Sequence, residues 1–123
     1  MSRTAARTKA RAAARLAATQ ALYQHDMEST AIPALLHEFH MHRIGATIED
    51  AEYAEADVAF FDDIVTGAHA RMGEIDQLIE KKLAAGWSLD RLDKPMKAIL
   101  RAGTYELLSR VDVPKGAVIS EYV

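Results

Sequence analysis

The chain has no cysteine among its 123 residues. That excludes a disulfide framework, a Cys-ligated zinc site and a thiol nucleophile. It fits a reducing cytosol, and a cytoplasmic location is expected. No apolar run approaches the ~20 residues needed to span a bilayer, so no membrane partner is expected. Strand signals are weak: no segment alternates apolar and polar residues with β-branched enrichment. The phosphate-cradling and nucleophile motifs are missing as well. Gly67 and Gly73, in GAHARMG, form neither GxGxxG nor a P-loop, and no GxSxG occurs. Neither a catalytic residue nor a cofactor is expected. The three prolines, Pro33, Pro95 and Pro114, sit where helices should begin.

What is present is ordinary in amount and uneven in placement. Hydrophobic residues make up 50% and charged residues 27%, a globular balance. The length predicts one domain over 1–123, able to bury roughly 65% of its unfolded surface. Net charge is −3, but Arg3, Arg7, Lys9, Arg11 and Arg15 precede the first acid, Asp26. An acidic body with one basic end repels polyanions everywhere except at that end.

Helical periods recur along the chain. Residues 4–25 are rich in alanine, arginine, leucine and glutamine, and Ala12, Leu16, Thr19 and Tyr23 predict the face to be buried. Ser29 or Thr30 is positioned to cap a second helix, with Pro33 in its first turn and Gly45 beyond its end. The stretch TIEDAEYAEAD reads as a solvated loop or the lead-in to the next helix. From Val58, residues Phe61, Ile64, Val65, Ala68, Met72, Ile75, Ile79 and Leu83 step by three and four. They predict one long amphipathic helix, or two with a bend near Gly67–Gly73, stopped at Gly86. Ser88 is placed to cap a short turn. Asp93 and Pro95 open another helix, with Met96, Ile99, Leu100, Gly103, Leu107 and Leu108 on one face. Asp112-Val113-Pro114 breaks it and starts a last helix from about 114, which runs to Val123 without a stop signal and reads as cut short.

Four of the basic residues fall at i, i+4, i+8 and i+12. Each step drifts about 40° on a helix, so Arg3, Arg7, Arg11 and Arg15 wrap as a ribbon over about 120°. The guanidinium fork matches phosphate and stacks on bases, as single-stranded RNA recognition requires. A charge run is more often a solvated face. Here no acid lies within four residues of any of these arginines, and bases near a helix N-terminus oppose its dipole. An external anion is therefore expected. A mitochondrial presequence shares this composition, but the apolar face continues unbroken into QALY.

Other constellations have bland readings. His37 and His40 are i, i+3, yet His42 sits on another side and no third metal ligand is evident. The many carboxylates, among them Glu49, Asp50, Glu52, Glu55, Asp57, Asp62 and Asp63, read as a solubilising surface, with Asp62 or Asp63 placed to pair with a base on another helix. Trp87 and Tyr105 read as core, and Tyr23 as core or interface.

Ala14-Arg15 with Gln20-Ala21-Leu22-Tyr23, then Ala98-Ile99-Leu100-Arg101 with Tyr105-Glu106-Leu107, then Asp112-Val113-Pro114 with Ala117-Val118-Ile119-Ser120-Glu121, follow one another in an order that resembles the bacterial transcription antitermination factor NusB family (N utilization substance protein B). The resemblance covers nearly the whole chain and implies an all-α fold of two antiparallel helical subdomains. It implies binding of boxA-type single-stranded RNA together with a small-subunit ribosomal protein, NusE. That assembly joins other antitermination factors and elongating RNA polymerase during ribosomal RNA synthesis. Carried over by residue, Arg7, Arg11, Arg15 and Tyr23 inherit the RNA contacts, and Arg3 and Lys9 lie in the same basic segment. Arg101 matches a family arginine and is equally placed for an internal pairing, with Glu106 or another acid. Family members continue into a KFVNGVLD-like segment of which this chain has no counterpart, about 25 residues in all. Without it, an exposed apolar groove, weak stability and homodimerisation or helix swapping are expected. The alternative is the severed RNA-binding head of a ribosomal RNA cytosine methyltransferase.

Overall fold

In a computed structural model, residues 3–42 and 57–122 are described. They form α1 (Arg3–Glu28), α2 (Ile32–His42), α3 (Val58–Ala70), α4 (Met72–Lys82), α5 (Lys94–Ser109) and α6 (Lys115–Tyr122), with a 3₁₀ turn at Leu89–Arg91. No strand occurs among the described residues. The expected loop TIEDAEYAEAD lies outside them except for Asp57, as does Gly45. Among the described residues, no helix is long and apolar enough to cross a membrane.

α1 is the central element, and its cross-contacts give the register. Along α1, Arg11 and Arg15 meet Asp112 and Glu106 while Asp26 meets Lys94, so α1 runs antiparallel to α5. Arg11 meets Asp57 and the His25 ring meets His69, so α1 runs parallel to α3. Gln24 bonds Glu38 across the turn into α2. The core between these helices holds Leu22, Leu35, Phe39, Phe60, Phe61, Ile64 and Val65.

The face that α1 buries differs from the expected one. Ala14, Ala17, Ala18, Ala21 and Leu22 are buried, whereas Leu16 is 64% exposed and Tyr23 is exposed. α1 packs against helices on more than one side, and alanines allow that close approach where leucines would not. α5 repeats the lesson. Ala98, Ala102, Gly103, Tyr105 and Glu106 face inward, and Met96, Leu107 and Leu108 are exposed. A Cβ at Gly103 would lie 3.3 Å from the Tyr122 ring, so the glycine admits α6 closely.

The long hydrophobic period is split in two at Arg71, whose side chain reaches Glu74 and Ser109. Gly67 serves a different need: the Tyr105 ring occupies the space its Cβ would take. Gly86 adopts φ +88° beyond the end of α4, a conformation that favours glycine. Asp93 caps α5 by accepting from the Met96 amide at 2.9 Å, and Asp57 caps α3 by accepting from Phe60. Ser29 does not cap α2. It ends α1 in the left-handed region at φ 56°, while the Thr30 carbonyl is bonded by the His25 ring. Ser88 precedes the 3₁₀ turn without a side-chain cap. Trp87, expected in the core, is 57% exposed; Tyr105 is buried as expected.

Candidate nucleic-acid interface

The basic ribbon of α1 lies on the helix side that carries Ala14, Ala18 and Leu22, because residues three and seven apart share a side. It therefore turns toward the acidic body. Arg15 is 6% exposed and Glu106 is fully buried. The Arg15 guanidinium donates twice to Glu106, at 2.8 and 3.1 Å. Burial alone would loosen the Arg15 proton; the hydrogen bond and charge of Glu106 more than offset this and hold the group charged. Arg11 donates to Asp112 at 3.1 Å and lies 3.8 Å from Asp57. Arg110 donates to Asp63 and to the same Asp112 oxygen. The guanidiniums of Arg11, Arg15 and Arg110 all stack around the Phe60 ring, at 4.6, 5.1 and 4.7 Å from its centre.

The fold supplies Arg11 and Arg15 with the acidic partners that their local sequence lacks, so these two do not require the external anion expected of the ribbon. The acids lie on α3, α5 and the α5–α6 turn, 91 and 101 residues away for Arg15 and Arg11, where a local search does not reach. Arg15 in this arrangement presents no surface to a phosphate; it fixes α1 against α5. Arg11 sits at the border of the cluster. Arg7 and Lys9 are exposed and have no partner among the described residues. The Arg3 side chain lies outside the described set. Tyr23 is 37% exposed, on the same side of α1 as Leu16 and Met27. It is not adjacent to Arg7: sixteen residues of helix put about 24 Å and about 160° of turn between them.

The remaining candidates fall into place individually. His40 bonds Asp62 at 2.6 Å, and His37 is exposed. The His42 side chain lies outside the described residues, and among those described no group of three metal-ligating side chains is brought together. Arg101 pairs with Asp76 through two 2.9 Å bonds rather than with Glu106. Asp63 accepts from the Tyr105 hydroxyl at 2.6 Å as well as from Arg110. Sequence reasoning missed Arg110 and Phe60 as parts of the arginine cluster. In the sequence Asp112 reads as part of a helix break, and nothing local marks it as the shared partner of Arg11 and Arg110.

The NusB family model matches residues 12–123. The chain belongs to the NusB family. A transcription antitermination protein NusB of Sphingopyxis alaskensis is 68% identical over 122 residues, covering 99% of this chain and 76% of the relative. The Novosphingobium aromaticivorans NusB is 66% identical over 106 residues, covering 86% of this chain and 72% of the relative. The Caulobacter vibrioides NusB is 45% identical over 106 residues, with 86% and 71% covered. NusB membership and these relatives point to a role in transcription antitermination and not to an enzyme. They lend no support to the methyltransferase-head alternative.

Proposed function

We propose that this protein binds boxA-type single-stranded RNA together with the small-subunit ribosomal protein NusE, as a non-catalytic adapter that supports antitermination by RNA polymerase during ribosomal RNA synthesis in the cytoplasm. The observation that carries the reading is the exposed pair Arg7 and Lys9 at the N-terminal end of α1, on a NusB-family chain whose body is acidic. Phosphate finds there two exposed cations without a partner among the described residues. Tyr23 offers a ring for base stacking further along the same helix. Arg3 belongs to the phosphate-binding end. Arg11 contributes at its margin, and Arg15 acts by holding α1 in place.

The test is a titration of fluorescent boxA-type RNA with and without the ribosomal protein at several salt concentrations. Three phosphate-binding cations, Arg3, Arg7 and Lys9, give a log–log salt slope of about −2 for a single strand, or roughly 20-fold weaker binding between 50 and 200 mM salt. Engagement of all five basic residues would give about −3.5. Binding that ignores RNA sequence and is not enhanced by the ribosomal protein overturns the proposal.

A further inference from the structure

We infer that Trp87 is a stacking platform for a base of single-stranded RNA, with Lys81, Lys82 and Arg91 holding the adjacent phosphates, at a second contact separate from the basic end of α1. The inference rests on the RNA-binding reading and extends it to a surface that the N-terminal arginines do not reach.

Four observations carry it. First, Trp87 is a large ring left 57% exposed, although its indole is the most expensive side chain to leave in water. Second, the backbone around it is built rather than loose. The Trp87 amide donates to the Ala84 carbonyl at 3.0 Å, and the Leu89 amide donates to the Glu80 carboxylate at 3.0 Å. The loop is thereby folded back on the last turn of α4, which carries Lys81 and Lys82. Third, the charge around the ring is basic in a chain that is acidic overall. Residues 80–97 hold Lys81, Lys82, Arg91, Lys94 and Lys97 against Glu80, Asp90 and Asp93. Glu80 is engaged by Leu89 and Asp93 by Met96, so Asp90 is the one acid of this stretch without a bond among the described residues. Lys81 and Lys82 are exposed and unpaired among the described residues. Arg91 spends one donor on the Gly86 carbonyl, next to Trp87; a guanidinium has five.

Fourth, the platform stands at the correct end of the molecule. Lys94, at the start of α5, donates to the Asp26 carbonyl at 3.0 Å. The segment leading away from Trp87 therefore abuts the C-terminal end of α1, one turn beyond Tyr23. A strand anchored at Arg7 that passes Tyr23 runs toward this end of α1. An exposed aromatic with flanking cations is what sequence-tolerant binding of single strands uses, because every base has a π-face and every nucleotide a phosphate.

Trp87 is the only tryptophan in the chain, so its fluorescence reports this site without labelling. The experiment titrates the protein with boxA-type RNA extended at both ends, reading tryptophan emission alongside the anisotropy of labelled RNA. RNA binding is expected to quench Trp87. Trp87→Ala is expected to weaken binding about 5- to 150-fold, the range of one stacked base. Trp87→Phe keeps a ring and should restore most of it. Lys81→Ala with Lys82→Ala should flatten the salt slope by about 1.4. If anisotropy shows binding while Trp87 emission stays unchanged, the platform is overturned and the antitermination reading stands. Unaltered affinity in Trp87→Ala overturns it equally. If no RNA binds at all, the proposed function falls and this inference with it.

Discussion

At the scale of single residues, the Arg15–Glu106 pair decides most. Both groups have left water, and their bidentate contact offsets that cost only while both are present. Glu106→Ala leaves a buried guanidinium without a counter-charge, and a loss of about 3–5 kcal/mol is expected. That is a large part of the roughly 5–15 kcal/mol that holds a domain together. Urea unfolding measures it; an unchanged midpoint would mean that Arg15 is not buried as described. Replacing both partners, Arg15→Met with Glu106→Leu, should recover most of the loss, since neither charge then remains in the interior. Asp112 gives a pH signature. Its slight burial raises the carboxyl pKa, but the hydrogen bonds from Arg110 and Arg11 outweigh this and hold it below its ordinary 3.8. A depressed carboxylate contributes stability that is complete above 3.8 and is lost as pH falls through the lower folded-state value. Melting temperatures of the protein and of Asp112→Asn should differ at pH 6 and converge as the pH falls below 3.8. A constant gap down to pH 2 would separate the effect from ionisation.

At the scale of helices, what was legible depended on which signal the sequence carried. Starts were legible. Asp93-Lys94-Pro95 announces α5, and the Asp93 side chain does accept from Met96. Asp93→Ala should therefore cost about 1 kcal/mol of stability, with a range of 0.5–2, read from a thermal melt. The position of each helix was legible, because alanine, leucine and arginine runs favour helix whatever surrounds them. The buried face was not legible in α1 or α5. A search for bulky apolar residues finds Leu16, Leu107 and Leu108, all of which the fold leaves exposed. The faces that pack are lined by alanine and glycine, which read as neutral in a hydrophobic pattern and as close contact in three dimensions. Tyr105 over Gly67 and Tyr122 over Gly103 are the same device, a ring received by a missing Cβ. In α3 and α4, where the contact residues are Phe61, Ile64, Ile75 and Ile79, pattern and packing agree.

At the scale of the whole molecule, the N-terminal bases with described side chains differ in depth: Arg7 and Lys9 are exposed, and Arg15 is buried. The same ribbon that reads as one uniform RNA site has an outer end, Arg7, and an inner end, Arg15, locked into the acidic body. Composition gave the charge asymmetry correctly and its purpose only in part, since the inner half of the basic end neutralises the protein's own acids. The division has a measurable form. Alanine at Arg7 and Lys9 should flatten the salt slope of RNA binding by about 1.4 while leaving stability nearly unchanged. Arg15→Met, assayed below its own melting temperature, should lower stability and leave the slope where it was. A slope flattened by about 0.7 in Arg15→Met would place Arg15 on phosphate after all.

The antiparallel pairing of α1 with α5 also orders events in time. Arg15 must wait for Glu106, 91 residues later in the chain. At synthesis rates of about 5–20 residues per second, that is roughly 5–18 s after Arg15 itself is made. During this interval the first helix can coil on its own, being rich in alanine, yet Arg15 still lacks the carboxylate it is buried against. The nascent chain is at its most cationic before Asp26 is added, and its first helix stays uncommitted on that side while it is still attached to a machine made of RNA. The fold closes only when the fifth helix brings back the acid that the first was made to receive.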